Sequence, residues 1–124
     1  MMQPLALVVY EKLLPGSQLV NRLQDLNYRV QAISDASKVV ECAEQSTPML
    51  VLADLESTRN NVCTALARLR QNAATQHLPV IAFGGEAEAT LREAAQKAGA
   101  TLVVTETAIL SHLPQLLEQA LRVE

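Results

Sequence analysis

The chain has 124 residues, 49% of them hydrophobic and only 2% aromatic, with a net charge of −3 and a pI of about 5.4. This length suits one domain spanning residues 1–124, with one core built from Leu, Val, Ile and Ala. The acidic balance and the lack of a basic track argue against a nucleic-acid partner, and "MMQPLALVVYEK" has neither the basic lead nor the apolar length of a secretion signal or membrane span, so no membrane and a cytoplasmic location are expected.

Along the chain, short apolar runs alternate with longer segments of helical period. "LALVVY" (5–10) predicts a buried strand. "PGSQLVNRLQDL" (15–26) follows as a helix with Leu19, Val20, Leu23 and Leu26 on one face and Pro15 in its first turn. "RVQAI" (29–33) alternates as a strand does. "DASKVVECAEQS" (35–46) predicts a helix with Ala36, Val39, Val40 and Ala43 inward, and Ser34 or Asp35 as its N-cap. "MLVLA" (49–53) is a third strand, and "NVCTALARLRQNA" (61–73) a helix with Val62, Ala65, Leu66, Leu69 and Ala73 inward.

"PVIAF" (79–83) is a fourth strand, ending at Gly84-Gly85. "EAEATLREAAQKAGA" (86–100) predicts an alanine-rich helix with acids leading, Lys97 trailing and Gly99 as its stop. "TLVVT" (101–105) is the fifth strand, and "SHLPQLLEQALRV" (111–123) a last helix that tolerates Pro114 in its first turn. Five strand–helix units with such apolar strands imply an α/β fold: a five-stranded parallel sheet covered on both faces. Right-handed crossovers make it doubly wound, flavodoxin-like, in strand order 2-1-3-4-5. Sites in such folds form beyond the carboxyl ends of the strands, here Tyr10-Glu11, Ser34-Asp35, Asp54 to Glu56, Gly84 to Glu86 and Thr105 to Thr107.

Other residues carry bland expectations. Cys42 and Cys63 lack metal or redox spacing and are expected as reduced, packed thiols. His77 and His112 have no partners at metal or triad spacing and are expected at the surface. Ser17, Ser34 and Ser111 fall where helix caps belong, and no G-x-G-x-x-G follows the first strand in "YEKLLPGS".

Four stretches, "LVVYE" (7–11), "LVLADLE" (50–56), "RLRQNAATQHLPVIAFGGEA" (68–87) and "AQKAGATLVVTE" (95–106), resemble the receiver domains of bacterial response regulators, of the single-domain chemotaxis (CheY-like) type. The resemblance implies that Asp54 stands at the position of the phosphoacceptor. It implies that Tyr10 and Glu11 replace a pair of Mg²⁺-holding acids, leaving Glu11 with Asp54 as metal ligands. Gly84 stands where a hydroxyl residue contacts the phosphoryl group, Glu106 where a lysine does, with Thr107 in place of a proline. Val103 takes the position of an aromatic switch residue, and "LESTRNNV", with Glu56 at the pocket edge, lacks the usual Pro and Asp-Gly.

Phosphoryl transfer in such a site is positioning and electrostatic stabilisation. Losing one preorganised donor costs about 3–4 kcal/mol of transition-state stabilisation. A Glu106 carboxylate ~5 Å from a phosphoryl charge would repel it by about 3 kcal/mol at an effective dielectric of ~20. The expectation is therefore a degenerate receiver-like domain, not an enzyme. It would act in bacterial signalling as a phosphorylation-independent protein-interaction module, using its fourth helix, fifth strand and fifth helix to meet a signalling protein, with a homodimer left open. No cofactor is expected. The alternatives are a weak Mg²⁺-dependent phosphoacceptor using Asp54, with Glu11, Asp54 and Glu106 as an oxygen-rich cation site, and a small-ligand or anion binder at the strand ends.

Overall fold

The computed structural model describes residues 4–10, 13–33, 35, 38–55, 62–84 and 89–121, with backbone alone at 13–16. The strands are β1 (Leu5–Val9), β2 (Arg29–Ile33), β3 (Leu50–Asp54), β4 (Val80–Gly84) and β5 (Leu102–Thr105). The helices are α1 (Leu13–Asp25), α2 (Val39–Ser46), α3 (Val62–Gln71), α4 (Ala89–Ala98), α5 (Glu106–Ser111) and α6 (Leu113–Leu121). All four strand pairs are parallel, and the order is β2-β1-β3-β4-β5 as expected.

Successive strand residues point to opposite faces, and the core divides accordingly. Leu7, Val9, Val51, Ala53, Val80 and Ala82 meet Val39, Ala43, Val62, Leu66, Leu69 and Ala95 from α2, α3 and α4. Ala6, Val8, Leu50, Leu52, Ile81 and Phe83 meet Leu19, Leu23, Ile109, Leu113, Leu117 and Ala120 from α1, α5 and α6. β3 and β4 are buried at every residue, which is why their sequences are continuous apolar runs. The two edge strands differ from the expectation of uniform burial. β2 exposes Arg29, Gln31 and Ala32, and β5 is half-buried throughout, because each has a hydrogen-bonded neighbour on one side only.

Helix ends follow local chemistry. α1 stops as Asn27 turns left-handed (φ 70°), with the Tyr28 amide donating to the Leu23 carbonyl. Leu26 lies past that end and is 37% exposed, not inward. α4 stops at Gly99 (φ +112°), where the amides of Gly99 and Ala100 donate to Gln96 and Ala95. This is the paired bonding that a left-handed glycine allows.

Three boundaries correct the sequence expectation. α2 starts at Val39 after Lys38, which gives no side-chain cap. The Lys38 amide donates to the Asp35 carbonyl, so Asp35 lies ahead of the N-cap position, which Lys38 holds, and Ser34 lies outside the described residues. Ser17 sits inside α1 and Ser111 ends α5, so neither is an N-cap. The last helix begins at Glu106, five residues early. Thr105 caps it, its Oγ1 accepting from the Ala108 amide at 3.2 Å. Pro114 has no N–H for the Leu110 carbonyl and its ring crowds that turn, so the helix breaks at His112. The bonds from His112 to the Ala108 carbonyl and from Leu116 to the His112 carbonyl carry the register across the break. Ala73, expected inward, is exposed beyond α3.

Candidate functional site

The carboxyl ends of β1, β3, β4 and β5 bring Tyr10, Asp54, Gly84 and Glu106 to one end of the sheet. Asp54 is the last residue of β3 and is in register with Phe83 of β4. The chain leaves β3 with the Leu55 amide donating to the Phe83 carbonyl at 2.8 Å. Asp54 is 2% exposed. A carboxylate so enclosed is stable only if its oxygens are bonded, and among the described residues no buried side-chain polar atom lacks a hydrogen-bond partner.

Tyr10 follows β1, its amide donating to the Ile33 carbonyl of β2, and its half-buried side chain packs on the α1–α5 side of the core. Gly84 ends β4 opposite Thr105. Its backbone does not need glycine: a Cβ there would meet nothing nearer than Leu55 Cβ at 3.6 Å, an ordinary contact. The absent hydroxyl is thus a matter of sequence, not of space.

Glu106 is the first residue of α5, not a loop residue. There its charge complements the positive end of the helix dipole. From the register, Glu106 lies two strands from Asp54 and about two residues farther along, roughly 10–12 Å away by strand spacing and rise. Thr105, expected among the strand-end residues but not as a cap, caps α5 with its hydroxyl. Its sequence signal was a hydroxyl residue directly before an acid, the usual start of a helix. Val103 packs half-buried against the α2–α4 side of the core.

Glu11 and Glu56 lie outside the described residues. Among the described residues, no group of three His, Cys, Asp or Glu side chains could hold a metal ion. The described residues therefore do not by themselves fit Mg²⁺. An open cavity of about 720 Å³ lies elsewhere, along the free edge of β2, lined by Gln24, Tyr28, Arg29, Gln31 and Ser46 among others. Burial raises the Tyr28 hydroxyl above its ordinary pKa there. Among the described residues no helix is long and apolar enough to cross a membrane.

No family model matches the chain, and no curated protein matches its sequence. Solved structures do match its fold. A Chloroflexus aurantiacus protein assigned as a response regulator superposes with a TM-score of 0.90 at 17% identity, over 98% of this chain and 100% of that one. The receiver domain of a Pseudomonas aeruginosa sensor histidine kinase, which holds a magnesium ion in its active site cleft, gives 0.88 at 20% identity over 98% and 100%. The BeF3-activated receiver domain of Klebsiella pneumoniae RstA gives 0.83 at 18% identity over 96% and 99%. With the parallel order β2-β1-β3-β4-β5 and Asp54 at the end of the central strand, this chain has the fold of response regulator receiver domains.

Proposed function

We propose that residues 1–124 form one degenerate receiver-like unit that acts in signal transduction by binding a protein partner, independently of phosphorylation at Asp54. The observation that carries this reading is the composition of the strand ends: a 2%-exposed Asp54 with Gly84, where a Cβ would fit, at the end of the neighbouring strand, and Glu106 one strand farther. A phosphoryl group on Asp54 would need donors and positive charge nearby. The next strand end offers a glycine, and the one beyond it a carboxylate. The face formed by α4, β5 and the last helix, which the structure divides into α5 and α6, would meet the partner, β5 being half-buried along its length.

The runner-up, a weak Mg²⁺-dependent phosphoacceptor with Glu11 and Asp54 as ligands, draws support from the intact Asp54 and from the magnesium held by the Pseudomonas domain of the same fold. The test is partner capture from native cells with three baits: the chain, Asp54→Asn, and a face variant carrying Glu93→Lys and Lys97→Glu on α4. The reading predicts one partner set for the first two, unaffected by acetyl phosphate, and its loss with the third. Capture that needs both acetyl phosphate and an intact Asp54 would favour the runner-up.

A further inference from the structure

Arg70, in the last turn of α3, is built into the protein in a way its surface-helix sequence does not suggest. Its Nε donates to the Gly99 carbonyl at 2.7 Å. One Nη1 donates to the carbonyls of Gln76 and Leu78, each at 2.7 Å. Its Nη2 donates to Thr101 Oγ1 at 3.2 Å, and that same oxygen accepts from the Val80 amide at 3.0 Å. One guanidinium thus ties together the end of α3, the approach to β4, the end of α4 and the approach to β5. Its stem lies directly over Gly99, where a Cβ would come within 2.6 Å of Arg70 Cγ. The charge sits at the carboxyl end of α4, where the helix dipole favours a cation. Burial lowers the Arg70 pKa from its ordinary value, but arginine keeps its charge in proteins.

The helix that this residue holds is otherwise thinly packed. α4 buries one residue, Ala95, whereas α3, of equal length, buries Val62, Ala65, Leu66 and Leu69. Leu91 and Ala98 add partly buried contacts. A helix with one buried alanine and two partly buried side chains has less apolar surface to keep it on the sheet than α3 has.

We infer that Arg70 is a latch for α4: the helix detaches before the central strands open, and the four bonds of Arg70 set how readily it does so. Elements with few buried apolar contacts open locally, below the free energy of global unfolding. Because α4 belongs to the proposed interaction face, the latch would also set how well that face is preorganised, a consequence that rests on the proposed function. The latch itself does not.

Native-state hydrogen exchange on the full chain tests it, alongside denaturant unfolding of each variant. In the wild type, the amides of Glu93 to Ala100 should exchange faster than those of β1, β3 and β4. Arg70→Gln should speed the α4 amides by about tenfold or more, since bonds to a charged donor are lost, while the central strands change only as far as global stability changes. Arg70→Lys should fall between, because an ammonium cannot span the guanidinium fork, and it serves as the readout if Arg70→Gln does not fold. Wild-type α4 amides as slow as the central strands, or an Arg70→Lys effect spread equally over all elements, would overturn the latch. Loss of the partner reading would leave this exchange pattern standing.

Discussion

Replacing Gly84 by Ser and Glu106 by Lys together should convert the strand ends into a site that accepts a phosphoryl group on Asp54. The Gly84 position has room for a Cβ, with Leu55 Cβ 3.6 Å away, so the serine Cβ enters without a clash. One preorganised donor is worth about 10²–10³ in rate. Reversing the charge at position 106 removes a repulsion and adds an attraction. At ~10–12 Å and an effective dielectric of ~20, each is about 1.5 kcal/mol, together on the order of 10²-fold. The combined gain is on the order of 10⁴–10⁵ if the terms add.

The same change places a cation at the start of α5, where the dipole favours an acid, at a cost of about 1 kcal/mol. The melting temperature should therefore drop by a few degrees. The assay is intact mass against time with Mg²⁺ and acetyl phosphate, for wild type, each single variant, the double variant and the double variant with Asp54→Asn. An Asp54-dependent adduct in the double variant is expected. A folded double variant that stays unmodified would show that the missing donors are not what silences Asp54, and would refute the reasoning.

The remaining predictions concern the scaffold and its thiol. Leu69 is fully buried in the α2–α4 layer, so Leu69→Ala should cost about 2–5 kcal/mol, read as a shift in the denaturant midpoint at unchanged slope. Thr105→Ala removes the hydroxyl that accepts from the Ala108 amide and should cost about 1 kcal/mol, with loss of protection at the Ala108 amide. Burial raises the Cys63 thiol above its ordinary pKa, so its alkylation by iodoacetamide, followed by peptide mapping, should rise at higher pH than that of the same cysteine in the unfolded chain. The linked stability is fully present below the ordinary thiol range and is lost as pH rises through the elevated value. A Cys63 rate profile matching the unfolded chain would contradict this.

The fold was legible because the central strands are bare apolar runs. "LVLA" and "VIAF" leave no polar residue for a solvated face, and only a sheet covered on both sides accommodates that. The strand at "RVQAI" was legible too, although its burial does not alternate, with Gln31 and Ala32 both exposed. The last helix was harder. "ETAILS" is too short to establish an apolar period, and Pro114 looks like a first-turn proline, so the start at Glu106 was hidden behind the break at His112. That shift changed the site as well, since it moved Glu106 from a loop to a helix terminus.

Asp54 was legible by position, as the acid that closes a buried strand. Its 2% exposure was not, because burial at a strand end depends on what neighbouring elements lay over it. Arg70 was the least legible residue of consequence. Three of its four acceptors are backbone carbonyls, which leave no trace in side-chain identity. Gly99 carried half the signal, as a helix stop, but its second role of making room for the arginine stem appears only in three dimensions.

The central claim is that wild-type Asp54 does not take part in signalling chemistry, and intact-mass spectrometry after incubation with Mg²⁺ and excess acetyl phosphate tests it most directly. The account predicts an unmodified mass for both the wild type and Asp54→Asn. A stoichiometric phosphoryl adduct on the wild type, absent from Asp54→Asn, would contradict it.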